Sequence, residues 1–275
     1  MDFNFKFKAE DMILKKRTTR ENIDSIKEWL EMAKPKYVPL QLQDELIILF
    51  LLSCDNNTER TKGTIMAHFK MKKEAPEIFD GRDMYRDDIQ KAFKTYRMIS
   101  LPGRTAENYQ ILYLSLRDSD FRNFDLVPIL KATYMLLDIE HDENPPDGAI
   151  YLADMKGFGF MHVFKLRPDP IRKYLHYLGE GVPVQFKGVH FINGNYFLDK
   201  AMLLVKAFLK PELFNLMKIH QKGWNPGELF PKSSLPKELG GDLESEEELC
   251  KKTIELYKEK QTFWENEEKW RHQYH

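Results

Sequence analysis

Apolar residues recur every three to four positions through the first third of the chain, then gather into short continuous runs separated by further helical spacing. The first pattern predicts an amphipathic helix over 22–30, a helix apolar on most faces over 40–52, and one alternating basic and apolar positions over 58–71. Pro35 and Pro39, then Asp55-Asn56-Asn57, then Pro76 to Gly81 break the chain between them, so residues 20–98 read as a small helical bundle. After a turn signal at Leu101-Pro-Gly-Arg104 the second pattern predicts strands over 110–116, 148–154, 188–193 and 217–220, with helices over 127–139, 170–178 and 197–209 between them. Strands joined by helices imply α/β architecture with a parallel sheet of four to five strands. From Ser245 to Trp270 the chain is charged, and the apolar spacing of Leu249, Ile254, Tyr257 and Phe263 predicts one closing helix. The expected organisation is a helical domain over 1–98, an α/β domain over 99–245 and a C-terminal helix over 246–275.

Composition narrows the classes of function. With 42% hydrophobic and 13% aromatic residues, the chain supports one large core or one domain with a helical appendage. Its 42 basic residues balance 43 acidic ones, so no global field drives nucleic-acid binding. Cys54 and Cys250 lie far apart, which suggests neither a disulfide framework nor a metal site and fits a reducing cytoplasm. The first eight residues lack the features of a secretory signal. The longest apolar run, Leu46 to Leu52, falls far short of the roughly 20 residues of a membrane span.

Catalytic motifs are missing: there is no Gly-x-Ser-x-Gly elbow, no phosphate-binding Gly-x-x-x-x-Gly-Lys-Ser/Thr loop and no His-Glu-x-x-His helix. Asp154-Met-Lys-Gly157-Phe-Gly159 is the nearest approach, a strand ending in Gly-x-Gly. A dinucleotide turn would need a third glycine where His162 stands, and the residues up to Pro168 offer no helix start to cradle phosphate. Of the eight histidines, His162, His176, His190 and His220 fall in or near the α/β part, and none is spaced from another as metal ligands are. No catalytic residue, metal or cofactor is expected.

An apolar surplus stands out instead. The helix predicted after Asn195 carries Leu198, Met202, Val205 and Leu209 along one stripe, with Ala201, Leu204 and Phe208 beside it, so about half its circumference is apolar. Such a helix needs two apolar neighbours. One is the sheet; the other is either ordinary core or a hydrophobic molecule that the helix covers.

Four landmarks follow one another in order: the strand with Asp154-Met-Lys-Gly157-Phe158 and then His162, the strand ending His190-Phe-Ile-Asn193, the helix running to Ala207-Phe-Leu209, and Leu235-Pro-Lys-Glu-Leu-Gly-Gly241. Together they resemble the CRAL-TRIO lipid-binding domain, the family of retinaldehyde-, tocopherol- and phosphatidylinositol-carrying proteins, and the helical segment sits where that family carries its amino-terminal helical domain. The resemblance implies a mostly parallel sheet with flanking helices and a lid helix over a lipid cavity, preceded by a small all-helical domain. It implies a non-enzymatic, cytoplasmic, monomeric carrier of a small neutral lipid (retinoid, carotenoid or tocopherol-like) that meets a membrane surface transiently and binds no nucleic acid. By position it places Tyr151, Phe158, Val189 and Phe191 on the strand side of the cavity, Met135 on the first helix, Tyr174, Tyr177 and Val182 on or after the next, and Leu198, Met202 and Val205 on the lid. Tyr151, Tyr174 and Tyr177 each offer a hydroxyl to the ligand's polar end.

Departures from the family pattern bear on the alternative, a phosphoinositide-binding adaptor. Family members that bind phosphatidylinositol place a glutamate where this chain has Val184 and a basic residue where it has Leu216. The phosphoinositide-contacting basic residues of the tocopherol carrier match only at Lys187, with Gln185, Glu212 and Leu216 elsewhere, and Phe50-Leu-Leu-Ser-Cys-Asp55 replaces a basic run. A neutral lipid is therefore expected. Lys165, Arg167, Arg172 and Lys173 form either a solvated face or an attraction for anionic lipid. Phe3, Phe5 and Phe7, interleaved with Lys6 and Lys8, read as an interfacial segment or a loose terminus.

Overall fold

A computed structural model describes residues 5–139 and 144–274. The amino-terminal part consists of α1 (Ala9–Leu14), α2 (Arg20–Ala33), α3 (Asp44–Ser53), α4 (Thr58–Glu74), α5 (Pro76–Phe79) and α6 (Asp87–Thr95). The side chains of Thr19 and Asn57 start α2 and α4 by accepting the N–H groups of Asn22 and Arg60. Pro76 holds Ala75 out of the helical region, which ends α4. The inward faces of α2 to α4 bury Ile23, Leu30, Ile48, Phe50 and Phe69 in a common core. Phe5 and Phe7, read from sequence as interfacial or loose, belong to that core instead. Their rings lie 5.5 Å apart and Phe5 meets Phe263 at 6.3 Å. Phe3 lies outside the described residues.

The sheet has five strands in sequential order: β1 (Tyr96–Arg104), β2 (Tyr109–Leu116), β3 (Gly148–Asp154), β4 (Phe186–Ile192) and β5 (Met217–Ile219). β2 to β5 run parallel, while β1 pairs antiparallel with β2. β1 corrects two expectations, since residues 96–98 are strand and Leu101-Pro-Gly-Arg104 is part of it. An edge strand tolerates Pro102 because that position needs no ladder donor, and the register shifts between Ser100 and Arg104. The crossovers carry α7 (Leu126–Ile139), α8 (Phe160–Lys165) with α9 (Pro168–Glu180), and α10 (Tyr196–Lys206) with α11 (Pro211–Phe214). All seven residues of β3 are buried because both of its faces are covered, which is why it reads as a continuous apolar run rather than an alternation. At Gly188, φ is +150° and a Cβ would stand 2.7 Å from the Leu216 carbonyl, so glycine lets the chain leading into β5 approach.

Behind the sheet, Ile99, Tyr113, Ile150 and Leu152 pack on Phe230, Leu235 and Leu249. The Leu-Pro-Lys-Glu-Leu-Gly-Gly landmark closes this layer: Gly240 adopts φ +76°, and a Cβ on Gly241 would overlap the Leu235 carbonyl at 2.0 Å. The expected single closing helix is two, α12 (Glu246–Glu259) and α13 (Gln261–His272), broken at Lys260. α13 returns to the amino-terminal bundle. Its buried Glu267 accepts from Lys72 at 3.1 Å, from Arg271 at 3.2 Å and from Arg82, while Arg82 also reaches Asp138 at 2.8 Å and Arg271 reaches Asp80 at 2.7 Å. Trp264 donates to the same Asp138 at 2.9 Å.

Candidate functional site

Strand alternation decides what lies over the front of the sheet. Tyr151 and Ala153 of β3 and Val189 and Phe191 of β4 point forward in register, while Ile150, Leu152 and Ile192 point to the rear layer. α7, α9 and α10 cover this front face, and between them and the strands lies a cavity of about 230 Å³. Leu198, Ala201, Met202 and Val205, at helical spacing along α10, form one wall. Ile129, Leu130 and Thr133 of α7 and Tyr174, Leu175 and Leu178 of α9 form others. Among the described residues, no Asp, Glu, Lys, Arg or His side chain lines the cavity.

Of the eleven wall residues named from sequence, the structure brings eight to this cavity: Tyr151, Phe158, Tyr174, Val189, Phe191, Leu198, Met202 and Val205. Met135, Tyr177 and Val182 are not among the side chains that line it. α7 is buried on nearly all sides, so apolar spacing does not say which turn faces the cavity, and the turn that does so precedes Met135. Tyr177 leaves α9 on the other side, its ring tilted against Phe79 at 4.6 Å and edge-on to Tyr134 at 4.9 Å, with its hydroxyl 3.0 Å from His68 Nδ1 of α4. Val182 turns with it toward Lys72 and Arg82. The lining that sequence reasoning missed includes Tyr96 and Leu114 of the β1–β2 hairpin and Leu178 of α9. Leu178 follows Tyr174 at i+4, a spacing that pointed to it.

Polar side-chain atoms in the lining are few, the hydroxyls of Tyr96, Thr133, Tyr151 and Tyr174. Thr133 donates to the Ile129 carbonyl at 2.8 Å, and behind the wall Tyr134 donates to the Tyr174 carbonyl. Among the described residues, Tyr151 Oη is buried and makes no well-formed hydrogen bond, with the Tyr174 hydroxyl as its polar neighbour. Burial, and then the neighbouring Tyr174, hold the Tyr151 phenol well above its usual range, while burial pushes Tyr174 up to about 12. Both remain neutral hydroxyls at physiological pH.

The ends of α8 and α10 meet at the surface. Asn195 caps α10 by accepting the Phe197 N–H at 2.9 Å and donates to the Phe158 carbonyl at 2.6 Å, which joins the start of that helix to the loop after β3. Phe160 is 54% exposed, Phe164 69%, Tyr196 65% and Leu203 64%. Phe160 stacks edge-on with Phe164 at 4.7 Å and lies 5.7 Å from Phe197, so these aromatics form a continuous surface patch. Spacing alone predicts no helix start after Gly159, yet α8 begins at Phe160. The Gly159 N–H is taken by His162 Nδ1 at 3.1 Å, which leaves that amide committed within the chain rather than free for phosphate. Beside the patch, Arg172 and Lys173 pair with Asp169 and Glu77, whereas Lys165 and Arg167 are exposed.

Two further polar clusters lie away from the cavity. His190 Nδ1 and His220 Nε2 approach to 2.8 Å on the rear of the sheet, with Trp224 stacked 3.5 Å over His220, a pairing that sequence spacing did not suggest. Burial, the adjacent His220 and Lys218 push His190 down to about 4. Asp80, Glu268 and His272 converge within 4.8 Å, but Asp80 is bonded to Arg271 and Glu268 to the Gly81 N–H.

Comparison with known proteins places residues 94–241 in the match of the CRAL/TRIO domain and residues 15–89 in that of the Pinta-like UBA domain. Alpha-tocopherol transfer protein-like of Homo sapiens is 24% identical over 248 residues, covering 85% of this chain and 70% of that protein. Clavesin-1 of Xenopus laevis is 26% identical over 233 residues, covering 82% and 69%. The crystal structure of Sfh5 superposes with a TM-score of 0.52 at 12% identity, over 81% of this chain and 86% of that one, a likeness of fold alone. Among the described residues, no helix is long and apolar enough to cross a membrane.

Proposed function

This chain belongs to the CRAL/TRIO domain family, and on that footing we propose that it carries one small neutral lipid, of retinoid, carotenoid or tocopherol type, in the cavity beneath α10 and exchanges it at a membrane surface. The observation that carries this reading is a cavity walled by apolar side chains and tyrosines with no charged group. Enclosing a ligand there returns about 25 cal/mol for each Å² of apolar surface removed from water, so affinity needs no ionic anchor. The mechanism is physical rather than covalent: the ligand leaves when α10 is displaced. The exposed Phe160, Phe164, Tyr196 and Leu203 support exchange at a bilayer, since aromatic and aliphatic side chains of this kind gain from the interface that the moving helix must enter.

The phosphoinositide alternative finds less support, because Lys187 donates to Gln185 and lies over the Tyr109 ring. The test is extraction of the purified protein with organic solvent and mass spectrometry of the extract, after recording its visible and near-ultraviolet spectrum. A stoichiometric neutral lipid is expected. An empty protein that also refuses retinoids, carotenoids and tocopherols would overturn the reading.

A further inference from the structure

We infer that Tyr151 is the specificity-determining group of the cavity, whose hydroxyl, with that of Tyr174 beside it, receives a single uncharged oxygen function of the bound lipid. This deepens the carrier reading above and rests on it. Among the described residues, Tyr151 Oη is the cavity-lining side-chain atom that is buried without a well-formed hydrogen bond, the Tyr174 hydroxyl being its polar neighbour. A phenol taken from water and left unpaired costs free energy, so the site is complete only when something fills that role.

Apart from Tyr174, the surrounding hydroxyls are engaged elsewhere. Thr133 donates to Ile129, Tyr134 to the Tyr174 carbonyl and Tyr257 to the Ala132 carbonyl at 2.8 Å, while Tyr177 pairs with His68 outside the cavity. Water is held weakly there, because a buried water needs two to four polar partners and the lining offers few polar side-chain atoms besides the Tyr151 and Tyr174 hydroxyls. A ligand that brings its own oxygen on an apolar body meets both demands together. The absence of any charged side chain in the lining excludes a carboxylate or phosphate in the same place, since a buried anion would have no counter-charge. The class is thus an alcohol, phenol, aldehyde or ketone on a hydrocarbon frame, with its oxygen at mid-strand on the sheet floor.

Equilibrium binding of radiolabelled 1-decanol, decane and decanoate at pH 8 separates these requirements. The wild-type protein should bind decanol about tenfold more tightly than decane, the ratio of one buried hydrogen bond, and decanoate more weakly than either. Tyr151→Phe should bind decane unchanged and lose the tenfold preference for decanol. A wild-type protein indifferent to the hydroxyl, or a Tyr151→Phe variant that keeps the preference, would overturn the assignment while leaving the cavity intact, because decane binding measures the cavity alone. Binding of none of the three probes would overturn the carrier reading and this inference together. Thermal unfolding supplies an independent readout. Without ligand, Tyr151→Phe should melt at or above the wild-type temperature, and a clear drop would reveal a partner for the hydroxyl within the protein and refute the inference.

Discussion

Substitution of Val205 by aspartate separates the wall of the cavity from the fold that holds it. Val205 is half-buried near the end of α10, with its side chain in the cavity lining. Without ligand the new carboxylate keeps access to water, and the partial loss of apolar burial costs about 1 kcal/mol or less, a fall of about 2–4 °C in melting temperature for a chain of this size. With ligand the carboxylate is trapped against a hydrocarbon surface with no cation in the lining. Desolvating an unpaired charge costs several kcal/mol, so at about 1.4 kcal/mol per decade the affinity at pH 7 should fall at least about 100-fold. The sign of the pH dependence follows: the ligand raises the pKa of Asp above its ordinary value of about 3.9, so affinity should recover as pH falls toward 5 and be lost as it rises. A displacement titration of bound lipid from pH 5 to 8 reads this directly. Leu203→Asp, on the exposed side of the same helix, should leave affinity almost unchanged and slow transfer to vesicles. Wild-type affinity in Val205→Asp, or equal loss of affinity in Leu203→Asp, would refute the assignment of α10 as the cavity's cover.

Glu267→Gln leaves Lys72, Arg82 and Arg271 short of a buried counter-charge and should destabilise the protein by about 3–5 kcal/mol, read as a lower denaturation midpoint at unchanged slope; an unchanged midpoint would show that these cations find other partners. Stability should also fall as pH drops from about 6.5 to 4, because His68 and His190 stay neutral in the fold while the unfolded chain takes up protons. For the part-exposed His190 this amounts to up to about 1 kcal/mol per pH unit. Urea midpoints across that range should fall less steeply in His190→Gln, and parallel curves would argue against His190 as a source.

Much of this architecture was legible because local pattern and tertiary role agree. The continuous apolar run of β3 is the mark of a strand covered on both faces, and the broad apolar stripe of α10 is the mark of a helix between two apolar neighbours. The cavity lining was legible where alternation in a strand or spacing in an amphipathic helix fixes the facing side. It was not legible on α7, which has almost no polar side to orient it, so spacing points to Met135 where Ile129, Leu130 and Thr133 face the cavity. Nor was it legible at Tyr177, whose direction is set by His68 from a helix more than a hundred residues earlier. β1 was hidden by Pro102 and Gly103, which signal a turn wherever no partner strand is in view. The exposed aromatics of α8 carried no periodic signal, since six residues are too few to display one.

The ionic contacts of Glu267 have a further consequence for the order in which the molecule is made. Lys72 leaves the ribosome long before Glu267, so during synthesis it waits without the counter-charge that it has in the finished protein, while Arg82 has Asp138 but not yet Glu267. Residues of α13 thus act as a keystone, set late and locking helices laid down before them. Until they arrive the lipid cavity can be walled on every side while the bundle beside it is still unfinished, and a nascent chain halted before α13 would expose its incomplete bundle to chaperones and proteases.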